Sequence, residues 1–295
     1  MKFYDKISTA AKTNDSWLCV GLDPEISKIP TVFGNDIESI YNFNEAIIDA
    51  TSDLVCAYKP NAAFYEVHGS AGWDVLQKTI RAIPKHIPVI LDFKRGDIGN
   101  TAKMYARSAF EHLGADAVTV SPYLGFDSIS PFIEYEEKGV FILCLTSNPS
   151  SADFQKLQLS GEMLPLNQKS SNGKATNLYQ YIAAQSLKWN AKSNIGLVVG
   201  ATAPEELNEV RNSIGNIMPI LIPGVGSQGG DLEKAVMNGS NHNGDLAIIN
   251  VARAVIFPDA YNLSISQPDY EKIMAVAAAQ FRDRINKTID VKKLI

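Results

Sequence analysis

The chain has 295 residues, of which 45% are hydrophobic and 20% are charged. This composition is typical of a globular protein with a large core, and the length suits either one large α/β barrel or two average domains. The formal net charge of −5 argues against nucleic acid or an anionic membrane surface as the main partner. A small anionic ligand is not excluded, because it needs only two or three local donors.

Three compositional features exclude further classes of protein. No stretch approaches the roughly 18 apolar residues of a membrane span, so we expect a cytoplasmic protein without a membrane partner. The three cysteines each lie in a short apolar run and form no CxxC motif, which is typical of buried free thiols. The four histidines have no partners at metal-ligand spacing, and no metal site is predicted.

Eight short apolar runs, rich in β-branched residues, recur along the chain and predict eight strands. They cover residues 17–22, 54–59, 88–94, 116–121, 140–146, 195–200, 219–223 and 247–252. Such runs are typical of strands buried on both faces of a parallel sheet. Several intervening segments have apolar residues at spacings of three and four, which predicts helices. Examples are 36–52, 100–113, 176–190, 230–239 and the segment after Thr202, a plausible N-cap.

Strand–helix alternation repeated eight times predicts a single (β/α)8 TIM barrel over residues 1–295, not a doubly wound sheet. A polar segment rich in Ser and Asn, at 147–175, follows the fifth strand. We expect it to be an excursion at the carboxyl-terminal face of the barrel, either a lid or a disordered surface loop. A helix near 268–287 is expected to pack on the outside of the barrel, with 288–295 frayed.

Charged residues interrupt the third predicted strand, which lies in the segment VILDFKRGDI. Asp92 and Lys94 are two positions apart on a strand, so their side chains project to one face, with Cα atoms about 7 Å apart. Asp97 follows where the chain leaves the carboxyl end of the strand, and barrel enzymes have their catalytic groups at that end. A structural ion-pair network at the barrel rim is the alternative interpretation, since unpaired buried charges would be costly.

Two more ionisable residues end neighbouring strands. Asp23 follows the first strand and Lys59 closes the second, so the five residues would form an alternating Asp and Lys array around strands one to three. A lysine between carboxylates stays protonated, because each negative charge favours its ammonium form. This arrangement suits a general acid that delivers a proton to a carbanion. It suits a Schiff-base lysine poorly, because that lysine needs a depressed pKa.

A glycine-rich turn, PGVGSQGGD at 223–231, follows the seventh strand. Glycines let the backbone approach a phosphate, and the amide groups at the start of a helix form an anion site. Gln228 can donate through its side-chain amide, and Arg253, directly after the eighth strand, can clamp a phosphate with two hydrogen bonds. TIM barrels often hold phosphate at this position, so a phosphorylated ligand is predicted.

These motifs together resemble those of the orotidine 5′-phosphate decarboxylases, in particular a longer bacterial subgroup. The resemblance rests on GLDP after the first strand, YKPNAAFYE at the second, LDFKRGDIGNTA at the third and PGVGSQGGD after the seventh. It covers about residues 15–256. It implies a homodimeric carboxy-lyase that converts orotidine 5′-phosphate to uridine 5′-phosphate without a cofactor, the last step of de novo UMP synthesis.

The resemblance also implies roles for individual residues. Lys94 matches the proton donor to C6 of the pyrimidine, Asp92 lies against the substrate carboxylate, and Lys59 completes the charge array. Asp97 matches an acid that reaches across a dimer interface into the neighbouring subunit's site. The other matches are to residues that bind substrate: Ile98 and Thr101 across the interface, Asp23 at the ribose, Ser147, Pro223 and Val225 at the base, and Gln228, Gly229 and Arg253 at the phosphate.

Two alternatives remain open. The DxKxxD spacing is shared with sister barrels in which the acids hold Mg²⁺ and an enediolate forms, either aldolases or keto-acid sugar-phosphate decarboxylases. A non-catalytic nucleotide-binding barrel that keeps the phosphate cradle is the second alternative. The intact Lys94 between two acids argues against it.

Overall fold

A computed structural model describes residues 1–160, 176–226, 229–258 and 265–294. Eight strands form its central sheet, and all eight predicted strands are confirmed, with ends that differ by a few residues. In chain order the strands are β1 (Leu18–Leu22), β2 (Ala57–Pro60), β3 (Ile90–Arg95), β4 (Ala117–Val120), β5 (Gly139–Leu145), β6 (Ile195–Val199), β7 (Ile220–Ile222) and β8 (Ala247–Val251).

The sheet is parallel and nearly closes into a barrel. Each strand from β3 to β8 pairs with the next along the chain, β8 pairs with β1, and β1 pairs with β2. Two single parallel bridges, Tyr58 with Val89 and Asn61 with Asp92, join β2 to β3. The predicted TIM barrel is therefore confirmed, and the carboxyl ends of the eight strands meet at one face.

The helices of the described chain lie between and around the strands. They are α1 (Phe3–Thr13), α2 (Glu38–Thr51), α3 (Ala63–Glu66), α4 (Gly69–Ala82), α5 (Gly99–Arg107), α6 (Ser130–Ile133), α7 (Leu178–Trp189), α8 (Pro204–Ile214), α9 (Leu232–Gly239), α10 (Arg253–Ile256) and α11 (Gln267–Lys293). A π-helical segment, Ser108–His112, continues α5. The helices predicted within 36–52, 100–113, 176–190 and 230–239 are confirmed. None of the described helices is long and apolar enough to cross a bilayer.

The interior of the barrel is filled at its amino-terminal end. Phe3 and Ile7 of α1 are fully buried, and the Phe3 ring packs edge-to-face on Phe141 of β5 with centroids 5.7 Å apart. A packed interior leaves open space only toward the carboxyl ends of the strands. The three cysteines are buried and free, as the sequence predicts.

Two expectations about helix ends are wrong. Thr202 does not cap α8, whose N-cap position is Ala203, because the Thr202 hydroxyl donates instead to the Ser147 carbonyl at 3.2 Å. The last helix does not fray after residue 287 but continues to Lys293. Tertiary contacts hold this extra turn, since Ile289 is buried and Lys292 Nζ donates to the Met237 carbonyl at 2.6 Å.

The polar segment after β5 is described at its two ends. Gln158–Leu159 pairs antiparallel with Thr176–Asn177. The Gln155 side chain accepts a hydrogen bond from the Thr146 N–H at 2.7 Å, which ties the start of the excursion to the end of β5. Residues 161–175 lie outside the described part of the chain, so the choice between lid and surface loop stays a prediction.

Candidate active site

A cleft of about 330 Å³ lies at the carboxyl ends of the strands, and its walls differ in polarity. The side formed by β8 and β1 to β4 is polar and charged, with Asp23, Lys59, Asn61, Asp92, Lys94, Thr119 and Asn250. The opposite side has apolar residues on β5 to β7 and in the turn after β7, namely Leu143, Val198, Leu221, Pro223 and Val225, and the polar residues Thr146, Ser147 and Asn148 after β5. The cleft therefore suits a ligand that is charged along one edge and less polar along the other.

Asp92 lies at the centre of the charged wall and accepts three hydrogen bonds. Lys59 Nζ lies 2.9 Å from its Oδ2, and Lys94 Nζ lies 2.6 Å from its Oδ1. The Thr119 hydroxyl also donates to Oδ1, at 2.8 Å. The structure thus brings together the two lysines and the aspartate that the sequence predicts as neighbours.

The environment keeps these groups charged. Burial alone would raise the pKa of Asp92, but the Lys59 and Lys94 ammonium groups hold that pKa well below its usual range. Burial alone would lower the pKa of Lys59, but Asp92 and Asp23 raise it above the ordinary value. A buried cation and a buried anion therefore face each other at neutral pH, each kept ionised by the other.

Lys94 differs from Lys59 in exposure and in backbone conformation. Its side chain is 48% exposed, whereas that of Lys59 is 4% exposed. Its φ of 47° lies in the left-handed region, within an irregular stretch of β3 where the register with β4 shifts between Leu91 and Arg95. A non-glycine residue in this region costs on the order of 1–3 kcal/mol and persists only where its surroundings enforce it. Lys94 is therefore held in an unusual conformation with its ammonium open to the cleft.

Asp23 follows β1 and is partly buried at the rim of the cleft. Its Oδ1 is inaccessible to solvent, and within the described residues it has no hydrogen-bond partner. Burial is the main cause that raises the pKa of this carboxyl, and Asp92 adds to the effect. The carboxylate as a whole lines the cleft, so it can accept a hydrogen bond from a ligand there.

The glycine turn after β7 forms one end of the cleft. Gly224 has a φ of 97°, and a Cβ on Gly230 would lie 2.5 Å from the Gly224 carbonyl oxygen, so both positions require glycine. The Gly229 N–H donates to the Gly226 carbonyl at 2.8 Å, and Gly229 does not line the cleft. Gln228 lies outside the described residues. The predicted phosphate contacts of these last two residues stay predictions.

Arg253 follows β8, the strand next to β7, so it lies on the same side of the cleft as this turn, and it lines the cleft with an exposed side chain. None of the ion pairs between described residues involves its guanidinium. Ser147, at the end of β5, lines the cleft as well. The structure therefore places Arg253 and the predicted base contacts Ser147, Pro223 and Val225 around one space.

Three predicted site residues lie away from the cleft of their own chain. The Asp97 carboxylate accepts a hydrogen bond from the Ile98 N–H at 2.8 Å, and Ile98 is 54% exposed. Thr101 is exposed on α5. The expected five-residue array is thus a four-residue array within one chain, because the chain has left β3 and begun its turn into α5 before Asp97.

Two buried polar residues of the cleft were not predicted from the sequence. Thr119 is 1% exposed on β4, and Asn250 is 7% exposed on β8. Each interrupts an apolar strand, in AVTV and AIINV, and this is the same signal that drew attention to Asp92. Within the described residues, no group of three or more His, Cys, Asp and Glu side chains is arranged to hold a metal ion.

A family model described as the orotidine 5′-phosphate decarboxylase / HUMPS family matches residues 16–259. The chain belongs to this family. Among curated family members, the orotidine 5′-phosphate decarboxylase of Dehalococcoides mccartyi is 48% identical over 286 residues, which cover 97% of this chain and 98% of the relative. That of Herpetosiphon aurantiacus is 50% identical over 256 residues, which cover 86% of this chain and 89% of the relative.

Solved structures of orotidine 5′-phosphate decarboxylases have the same fold. The OMP decarboxylase of Leishmania donovani superposes with a TM-score of 0.80 at 37% identity, covering 98% of this chain and all of that one (100%). The UMP synthase of the same organism superposes with a TM-score of 0.81 at 38% identity. This chain spans 57% of that longer protein.

Proposed function

We propose that this chain decarboxylates orotidine 5′-phosphate to uridine 5′-phosphate without a cofactor, and that Lys94 donates the proton to C6. The observation that carries the proposal is the ion-pair chain Lys59–Asp92–Lys94 at the open end of a barrel of this family. One lysine is buried and fixes the carboxylate, and the other extends its ammonium into the cleft. A decarboxylase that uses no electron sink needs such a fixed charge beside the reacting carbon.

The polarity of the cleft orients the substrate. Arg253 and the glycine turn at one end suit the phosphate, because a guanidinium binds phosphate oxygens in pairs. The Asp23 carboxylate, which lines the cleft, suits a ribose hydroxyl. The pyrimidine then packs on the apolar wall formed by residues such as Pro223 and Val225, with its C6 carboxylate toward Asp92.

The proposed reaction proceeds at C6. The bond between C6 and the carboxylate breaks, CO₂ leaves, and the electron pair stays on C6. Lys94 transfers one proton from its ammonium to C6, and the resulting neutral amine recovers a proton from solvent. Asp92 holds the ammonium in place before the reaction, so its charge stabilises the carbanion without reorganisation. Each 1.36 kcal/mol removed from the barrier is worth about a tenfold rate increase.

Asp92 also destabilises the ground state of the bound substrate. Its carboxylate is ionised and close to the position of the substrate carboxylate, so the two negative charges repel until CO₂ has left. Binding energy from the remote phosphate offsets this cost, because it is available throughout the reaction. Charge repulsion from Asp92 therefore acts on the carboxylate that leaves, and proton donation by Lys94 acts on the C6 atom that remains.

The proposal includes a homodimer in which Asp97, Ile98 and Thr101 enter the partner's cleft. Ile98 and Met104 expose apolar side chains at α5, and Tyr123, Leu124 and Phe126 do so after β4. The short helical turn Phe126–Ser128 lies against α5, so the two groups of exposed side chains belong to neighbouring elements. Exposed apolar side chains on neighbouring elements favour a protein partner. We place the reaction in the cytoplasm, in keeping with three free buried thiols.

The test is an absorbance assay on orotidine 5′-phosphate with purified, metal-stripped protein. We expect full turnover in EDTA, with uridine 5′-phosphate as the product. Turnover that requires added Mg²⁺ would favour the sister aldolases and keto-acid decarboxylases. Binding of uridine 5′-phosphate without any turnover would favour a non-catalytic nucleotide-binding barrel.

A further inference from the structure

We propose that Thr119 positions both Lys94 and Asp92, and that its hydroxyl sets the rate of the chemical step while contributing little to nucleotide binding. The proposal rests on the proposed function, since it concerns the placement of the proton donor. From the neighbouring strand β4, Thr119 contacts the backbone N–H of Lys94 and the side-chain carboxylate of Asp92. It is a positioning residue, because it acts through Lys94 and Asp92.

The Thr119 hydroxyl has its donor and acceptor roles determined by its partners. The Lys94 backbone N–H, which can only donate, lies 3.1 Å from Oγ1. The hydroxyl proton must then go to Asp92 Oδ1, at 2.8 Å, because an ionised carboxylate can only accept. One side chain therefore satisfies a backbone donor and a carboxylate acceptor at the same time.

The backbone hydrogen bond matters because the ladder between β3 and β4 is interrupted here. Leu91 pairs with Val118, but the next pair joins Arg95 to Val120, so the residues between them on β3 are out of register. A bulged residue loses its ladder partner. The Thr119 hydroxyl replaces that partner for the Lys94 N–H and helps hold the left-handed conformation of Lys94.

The two hydrogen bonds converge on the position of one ammonium. Oδ1 of Asp92 accepts from both the Thr119 hydroxyl and Lys94 Nζ, so Thr119 fixes the oxygen that fixes the ammonium. Lys94 is thus held at its backbone directly and at its side chain through Asp92. Loss of the hydroxyl therefore loosens both the backbone and the side chain of Lys94. It leaves unchanged the groups that bind the nucleotide, which are Arg253, Asp23 and the apolar wall.

The experiment compares Thr119→Val, which replaces the hydroxyl by a methyl group of similar shape, with Thr119→Ser, which keeps the hydroxyl. We expect Thr119→Val to lower kcat by about 100-fold, the scale of a displacement of about 1 Å at a reacting group. KM and the affinity for uridine 5′-phosphate should change by less than about threefold. Thr119→Ser should recover most of the lost rate. Thr79→Val is the matched control, because it removes a buried hydrogen-bonded hydroxyl on α4, remote from the cleft, and should leave kcat unchanged.

The outcomes separate this proposal from the proposed function. If wild-type protein does not decarboxylate orotidine 5′-phosphate, the proposed function fails. If wild-type protein is active and Thr119→Val has a kcat within about threefold of it, the role of Thr119 is overturned. A serine variant as slow as the valine variant also overturns it, since the methyl packing would then matter instead. If Thr119→Val fails to bind uridine 5′-phosphate because it is unfolded, Thr119→Ala is compared with Thr119→Ser by the same criteria.

Discussion

The Lys94 ammonium lies 2.6 Å from Oδ1 of Asp92, two positions earlier on the same strand. Oδ2 pairs with Lys59 at 2.9 Å. The aspartate therefore has one oxygen committed to a buried lysine and one to an open lysine. The buried lysine is structural support for the charge array, and the open lysine is free to exchange a proton with a ligand.

Replacement of Lys94 by alanine should abolish turnover and leave product binding measurable. The variant loses both the proton donor and the charge that stabilises the carbanion, so we expect kcat to fall by at least about 10⁴-fold. Stopped assays measure kcat, and titration calorimetry measures the affinity for uridine 5′-phosphate. Lys78→Ala, at an exposed lysine on α4 that pairs with Glu38, is the control and should be fully active. Near-normal turnover by Lys94→Ala would refute the proton-donor role.

Replacement of Arg253 by alanine should weaken the binding of phosphorylated ligands in particular. A guanidinium–phosphate pair contributes about 1.5–3 kcal/mol, so we expect KM for orotidine 5′-phosphate to rise by about 10- to 100-fold. Titration calorimetry with uridine 5′-phosphate and with uridine, on the variant and on the wild type, measures how much of the lost affinity belongs to the phosphate. Arg107→Ala, which removes an exposed arginine on α5 paired with Glu111, controls for net charge. An equal loss of affinity for uridine would contradict a phosphate contact.

The proposed dimer predicts that two inactive variants restore each other. Asp97→Ala removes the acid that enters the partner's cleft, and Lys94→Ala removes the proton donor of its own cleft. In a mixed dimer one cleft has Lys94 from one subunit and Asp97 from the other, and the second cleft has neither. An equal mixture, after subunit exchange, should therefore recover about a quarter of wild-type activity. Activity that stays at the sum of the two variants would show that Asp97 does not act across an interface.

Much of the fold was predictable because each barrel strand is buried on both faces and so appears as a continuous apolar run. The ends of the helices were less predictable, since they depend on long-range contacts. The Thr202 hydroxyl had a plausible role as a cap, but it bonds to Ser147 on another loop. The last turn of α11 is stabilised by the contact of Lys292 with the Met237 carbonyl, which no local pattern reveals.

The charged half of the site was predictable for a different reason. Parallel strands end at one face, so charged residues at strand ends, such as Lys59 and Asp92, must come together there. Thr119 also interrupts an apolar run, but that signal is weaker than a charge, because threonine is common in strands. The left-handed conformation of Lys94 was also hidden, since an irregular stretch of β3 leaves no trace in residue types.

The stability of the protein should depend on the Lys59–Asp92 pair in a defined pH window. A raised pKa for folded Lys59 stabilises the fold below its ordinary value of 10.5, and this stabilisation is lost as the pH rises through the folded pKa. A depressed pKa for folded Asp92 stabilises the fold above 3.8, and this stabilisation is lost as the pH falls through the folded pKa. The pair therefore contributes fully between these two values.

Lys59→Met should consequently lower the free energy of unfolding at pH 7 by about 3–5 kcal/mol, the usual cost of removing one partner of a buried ion pair. Urea denaturation measures this, and the difference from wild type should shrink as the pH falls below 3.8. Lys78→Met should cost less than about 1 kcal/mol, because its ion pair is exposed. Adding Asp92→Asn to Lys59→Met should recover part of the loss, since it removes a buried charge whose remaining cationic partner, Lys94, is half exposed. If the two lysine variants were equally stable, the buried pair would not contribute to the stability of the fold.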